Sequence, residues 1–278
     1  MLKPLSNHWP EYLMEAWGLG TFMVAACLGT VVLWHPESPI EHLVGGKPTI
    51  QRLLMGVAMG LTAIGIVYSP WGKRSGAHIN PALTLTFLRL GKIHFWDAVF
   101  YVIFQFLGAI AGVGLAWLLL GSMVSLPEVN FAATVPGEPG AFVAFVAEML
   151  ISAGIMGTVL FATNQPKLMN VTGILIGCLL VMYITFEAPL SGMSMNPART
   201  VGSAVVANVW TGWWVYFLAP TIGMLAAAEI YLWTKGKDAV HCAKLHHTTD
   251  VRCIFKCGMQ AMMEKKQQEM QKEDATST

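Results

Sequence analysis

Charge is scarce in this chain: Asp, Glu, Lys and Arg make up 12% of its 278 residues, against about a quarter in soluble domains. That scarcity excludes a solvated globular domain, whose surface needs charge to stay in water. The net charge of +1 comes from few, dispersed basic residues, so no nucleic-acid partner is expected. No nucleophile and base stand at a recognisable spacing, and an enzyme is not expected either. Cysteine is also sparse, at five residues. Cys27 and Cys178 fall inside apolar runs as small packing residues, and the other three follow the last run in a reducing setting, so a disulfide framework is not expected. What remains is apolar: 55% hydrophobic residues and a mean hydropathy of +0.55 define an integral membrane protein.

Six apolar stretches are long enough to cross a bilayer, at about 12–33, 50–69, 95–119, 140–162, 168–188 and 212–233. Lys73, Arg74, Arg89 and Lys92 lie between the second and third, Lys167 between the fourth and fifth, and the tail after Lys235 is basic. Glu128 and Glu138 stand in the connection from Gly121 to Gly140, which has no Lys or Arg, while Lys47, Arg52 and Arg199 fall on its side of the membrane. The positive-inside rule then expects both termini in the cytoplasm and the protein in the plasma (inner) membrane. The first apolar run is full length without a small-residue cleavage site, so it is expected to stay as a span.

The most informative text is duplicated. Asn80-Pro81-Ala82 and Asn196-Pro197-Ala198 stand 116 residues apart, each preceded by Ser-Gly: SGAHINPALTLTF from Ser75 and SGMSMNPARTVGS from Ser191. Asn is a favoured N-cap, and Pro fits the first helical turn, where its missing N–H costs nothing. Only about ten residues separate Asn80 from Gly91, half the roughly 20 that a span needs, so each copy predicts a half-helix dipping into the membrane. Three spans and one half-helix per half make an odd count, which inverts the second half and lets the half-helix N-termini meet mid-membrane. The expected fold is all-α: six transmembrane helices plus two re-entrant half-helices in two inverted repeats. Each half opens on a span with one deep acid, Glu15 and Glu148, the only such acids. They are expected to accept hydrogen bonds from the irregular backbone before each half-helix rather than to relay protons. Gly108, Ala111 and Gly112 are expected to permit close helix approach.

Two facing helix N-termini carry about half a positive charge each. With the Asn80 and Asn196 amides turned into the gap, they suit a neutral molecule with lone pairs and repel cations, including a proton on a water chain. On these paired motifs and the following Arg199, residues 11–234 resemble the major intrinsic protein family, the aquaporins and glycerol facilitators. The resemblance implies a passive channel without a cofactor for transport, commonly a homotetramer with one pore per subunit, lying in the lipid bilayer and passing water or small neutral solutes. It implies that Arg199 is the pore arginine, and that Ile184, Met193 and either Met59 or Gly60 complete the constriction. Strict water pores have an aromatic and a His there, and neither is found. Thr200, where glycerol facilitators have an Asp, and the pair Tyr216-Phe217 instead resemble water channels. Glycerol, urea, ammonia, peroxide and neutral metalloid acids stay open beside water. His78 lies on the approach to the pore, where a hydrogen-bonding role in the loop is favoured over a pH gate.

The chain thus divides into a channel domain, 1–234, and a Cys/His-containing tail, 235–278. In the tail Cys242 with His246, and Cys253 with Cys257, form two similarly spaced pairs of soft ligands. Completed by His246 or a neighbouring His, they are a zinc-type set. Met259, Met262, Met263 and Met270 read as a short amphipathic helix or an irregular end. An ion-coupled secondary transporter is the competing class, since inverted repeats with broken helices build those too.

Overall fold

The computed structural model describes residues 2–248 and 250–264. Its elements, in order, are α1 (Leu2–Trp34), α2 (Pro39–Val44), α3 (Pro48–Tyr68), α4 (Pro70–Ser75), α5 (Pro81–Arg89), α6 (Phe95–Leu120), α7 (Ala141–Thr163), α8 (Thr172–Phe186), α9 (Ala188–Ser191), α10 (Pro197–Ala207) and α11 (Trp213–Lys235). Among the described residues every regular element is helical. The half-helices are α5 and α10, at nine and eleven residues.

Packing follows the duplication. Helix α1 packs on α6 as α7 packs on α11, α10 lies on α6 as α5 lies on α11, and α3 meets α8 across the centre. A methyl group added at Gly108 would overlap the Ala16 carbonyl, and one at Gly223 would overlap that of Met149, so the same glycine-to-backbone contact occurs in both halves. Ala111, expected at such a contact, faces outward; Ala109 instead sits against Gly202 of α10. Away from these seams the spans present large apolar side chains outward, with Phe142, Leu118 and Trp233 78%, 85% and 88% exposed. Such faces are stable only against lipid or another apolar surface.

Two elements differ from expectation. Helix α1 begins at Leu2, ten residues early, because Tyr12 and His8 both reach Asp97, at 2.6 and 2.8 Å, and fasten the extra turns to α6. Among the described residues five helices have the length and composition of a full span, but the fifth apolar run yields a helix of only 15 residues, about 22 Å at 1.5 Å per residue. Turns over 166–171 precede it and one-turn α9 follows. Pro189 has no N–H to return to the Thr185 carbonyl, and Arg52 Nε donates to that carbonyl instead, at 3.0 Å. Buried carboxylates are also more numerous than the two expected: Glu11 within α1, Asp97 in the first turn of α6 and Glu187 just after α8 join them. Glu11 is matched by Arg74 at 2.9 Å and Arg252 at 3.5 Å.

The tail is folded against the helical body rather than trailing from it. Residues 259–264 are helical, with Met259 buried, Met262 half-buried and Met263 exposed; Met270 lies outside the described residues.

Candidate functional site

The turn into each half-helix is built by the same set of bonds. Ser75 Oγ and the His78 and Ile79 N–H groups donate to the Glu15 carboxylate at 2.8, 3.0 and 2.6 Å. Ser191 Oγ and the Ser194 and Met195 N–H groups donate to Glu148 at 2.8, 2.6 and 2.7 Å. Tyr101 and Tyr216 hydroxyls donate to the carbonyls of Ser75 and Ser191. Held this way, Ala77, Ile79, Met193 and Met195 adopt φ of 55°, 41°, 52° and 52°, a left-handed conformation that non-glycine residues avoid at a cost of order 1–3 kcal/mol each. The two deep acids therefore occupy the backbone-satisfying position expected of them.

Asn80 and Asn196 cap their helices through Oδ1, which accepts from Ala82 N at 2.9 Å and from Ala198 N at 3.0 Å. Pro81 and Pro197 occupy the first helical positions, beside the buried Ala82 and Ala198. The amides also do something the sequence did not predict. Asn80 Nδ2 donates to Met195 O at 2.8 Å and Asn196 Nδ2 to Ile79 O at 2.7 Å, so each brace reaches into the opposite loop. One N–H of each amide is spent there, and one is left for the space between the helix ends.

Two cavities meet near this junction. The outer one, 490 Å³, is lined by Met59, Ile184, Met193 and Arg199, with Arg52 and Phe22. The inner one, 90 Å³, is lined by Asn80, Asn196 and His78, with Phe22, Met195 and Leu245. Met59 thus borders the open space, whereas Gly60 is pressed against the Gly177 carbonyl. Arg199 is buried, and among the described residues its Nη1 has no hydrogen-bond partner. Phe22 escaped the sequence reading although it borders both cavities. Its signal was its place seven residues after Glu15, two turns along the same face of α1. Tyr216 and Phe217 border neither cavity: Tyr216 props the loop, and Phe217 stacks on Phe106 at 6.2 Å. Thr200 bonds Ser194 Oγ at 2.6 Å and Thr134 Oγ1 at 3.0 Å, tying the loop to the connection before α7.

His78 is 2% exposed and sandwiched between Phe87 and Phe255, at 5.1 and 5.3 Å between ring centroids. Its Nε2 lies 2.8 Å from the Ala243 carbonyl; since a carbonyl only accepts, that nitrogen carries the proton. The hydrogen-bonding role is the one the geometry supports, and its partner comes from the tail.

In the tail, Cys242, His247, Cys253 and Cys257 bring their ligand atoms within 4.8 Å of one another. The histidine differs from the first expectation. The chain bends at Leu245 and His246, and His246 turns onto Tyr68 at 4.9 Å, leaving His247 in the cluster. Cys242 Sγ stands 3.6 Å from Cys253 Sγ, and His247 Nε2 stands 3.1 Å from Cys257 Sγ. Hydrogen bonds to Cys253 and Cys257 lift the His247 pKa to about 9, while those from Cys242 and Cys253 hold the Cys257 thiol below its usual range.

Comparison with known proteins places this arrangement. Residues 4–231 match the family profile described as Major intrinsic protein. The chain is 36% identical over 219 residues to a "Probable aquaporin NIP-type" of Nicotiana alata, covering 78% of each chain. It is 30% identical over 218 residues to "Aquaporin A" of Dictyostelium discoideum, covering 77% of this chain and 75% of that one. Among solved structures, the aquaglyceroporin from Plasmodium falciparum superposes with a TM-score of 0.66 at 18% identity, over 81% of this chain and 96% of its own.

Proposed function

Because this chain belongs to the major intrinsic protein family, we propose that it is a passive transmembrane channel for water and small neutral solutes. The carrying observation is the pair of Asn-capped half-helices meeting N-terminus to N-terminus between two cavities, each asparagine bonded into the other's loop. The free amide N–H groups of Asn80 and Asn196 offer donors to a solute's lone pairs. The helix dipoles and the Arg199 guanidinium place positive potential along the same path, which disfavours protons and metal cations. Transport on this reading needs no cofactor, and the tail's Cys/His cluster holds a zinc-class ion apart from the conduction path. We further assign a plasma (inner) membrane location with both termini cytoplasmic, and a homotetramer that covers part of the apolar outer surface.

Ion-coupled transport is disfavoured because the oxygens of Glu15 and Glu148 are already engaged by loop donors, leaving no free carboxylate at the junction. A broader solute range is favoured by the apolar walls of the outer cavity, where Met59, Ile184 and Met193 offer little to hydrogen-bond. Stopped-flow swelling of reconstituted vesicles against water, glycerol, urea and boric acid gradients tests the reading. Conduction without ion current is expected, and uptake that needs a proton or sodium gradient would overturn it.

Ile184→His combined with Met59→Phe should narrow the outer opening and give it a polar wall. The expected result is a glycerol flux reduced by about tenfold, the effect of roughly 1.4 kcal/mol at the barrier, with water flux changed far less. Equal losses of both would mean that these side chains do not set the size limit.

A further inference from the structure

The tail lies against the loop that leads into α5 and borders the inner cavity. The Leu245 N–H donates to the Gly76 carbonyl at 3.1 Å, Ala243 O accepts from His78 at 2.8 Å, and the Leu245 side chain borders the inner cavity beside Asn80 and Asn196. Phe255 stacks on His78 and edges Tyr101 at 6.1 Å, so it wedges against the loop that leads into α5. Further out, His241 N donates to Asn164 Oδ1 at 2.7 Å and Lys256 N to Lys92 O at 2.9 Å, seating both ends of the segment on the channel.

A stretch this short cannot bury enough apolar surface to fix its own conformation. What it contains instead is the cluster of Cys242, His247, Cys253 and Cys257 at its centre. In a tetrahedral site with Zn–S bonds of about 2.3 Å, neighbouring ligands lie roughly 3.5–3.8 Å apart. The 3.6 Å separation of Cys242 and Cys253 and the 3.1 Å separation of His247 and Cys257 need only small adjustments to meet that geometry. Cys257 is exposed, which provides a way in for an ion.

The loop that carries the cluster is also closed on itself: Lys244 is 1% exposed, and its Nζ donates to the Arg252 carbonyl at 2.7 Å, tying the chain beside Cys242 to the chain beside Cys253.

We propose that Cys242, His247, Cys253 and Cys257 bind one tetrahedral zinc-class ion, and that this ion holds segment 242–255 as a plug in the tail-side mouth. The ion is bound by three thiolates and one neutral imidazole, so the protons that the cysteines and His247 carry beforehand are released on binding. Loss of the ion frees the segment, withdraws Leu245 and Phe255 from the mouth, and opens the channel. The gating step rests on the channel reading above; the metal site does not.

The test uses the full-length protein, prepared reduced, with zinc chloride as the probe. Elemental analysis should find about one zinc per chain in the wild type, and cobalt(II) in its place should give the strong visible absorption of a tetrahedral thiolate site. Cys253→Ser/Cys257→Ser should lose both signals. In vesicles, the chelator-stripped wild type, the double variant, and Leu245→Ala with its ligands intact should each conduct water several-fold faster than the zinc-loaded wild type. Less than about half an ion per chain, or a Cys242–Cys253 disulfide in its place, would overturn the site. Full zinc occupancy with equal permeability in all four preparations would overturn the plug. Zinc retained with no conduction in any of them would overturn the channel reading and leave the metal count standing.

Discussion

Arg199→Val is expected to raise the permeability ratio of glycerol to water several-fold and to raise proton leak by at least about tenfold. Two properties of the guanidinium are lost together. It occupies space in the outer cavity beside Ile184 and Met193, and Val leaves that space to the solute. On the proposed reading it is also a buried fixed charge at the constriction, where Arg52 and Glu128 line the same cavity. A unit charge about 4 Å from a passing cation contributes about 4 kcal/mol at an effective dielectric of 20, several times the 1.4 kcal/mol that makes a tenfold rate. The half-helix dipoles remain, with about half a charge each, so proton exclusion is weakened rather than abolished. The fold should survive, because the cap that Arg199 shares is made by its backbone N–H to Asn196 Oδ1 at 3.2 Å, which Val retains. Stopped-flow swelling with glycerol, and a pH-sensitive dye in the same vesicles, read the two effects separately. An unchanged solute profile in well-folded Arg199→Val would mean that the guanidinium does not border the path.

What the sequence made legible was short-range chemistry. An Asn cap followed by Pro specifies a helix start wherever it occurs, so α5 and α10 could be placed to the residue, and their brevity followed from the distance to the next break. The two acids were legible in role for a related reason: a carboxylate at membrane depth must have partners, and the nearest irregular backbone supplies them. Relations between distant residues were not legible. The bond from His78 to Ala243 spans 165 positions, and nothing in either neighbourhood announces it. The His246-for-His247 difference turns on a single step along an irregular segment, where no helical period fixes which way a side chain points. The end of α8 had a local trace in Pro189, but the Arg52 side chain that takes up the freed Thr185 carbonyl comes from another helix and had none. Phe22 had a local trace, its seven-residue spacing from Glu15 on α1, but an apolar side chain in an apolar helix carries no chemical mark that separates a cavity wall from core packing.

Glu148→Ala should have the largest effect on the fold itself. The carboxylate accepts from Ser191 Oγ, Ser194 N and Met195 N, and Ala leaves these three donors buried without partners at about 1–3 kcal/mol each. The sum, roughly 3–9 kcal/mol, is comparable with the whole stability of a typical domain. The left-handed residues Met193 and Met195 would add to the loss, since the bonds to Glu148 are what hold their backbone in that conformation. Purified in detergent, the variant is expected to unfold at least about 6–12 °C below the wild type, from about 2–4 °C per kcal/mol for a chain of this size. Glu148→Gln separates this role from proton transfer. Its remaining carbonyl oxygen can accept two of the three bonds, so it should fall between the wild type and Glu148→Ala in stability while conducting water once folded. A proton relay predicts the reverse for Glu148→Gln, near-normal stability with transport lost, and that outcome would remove Glu148 from the structural role argued here.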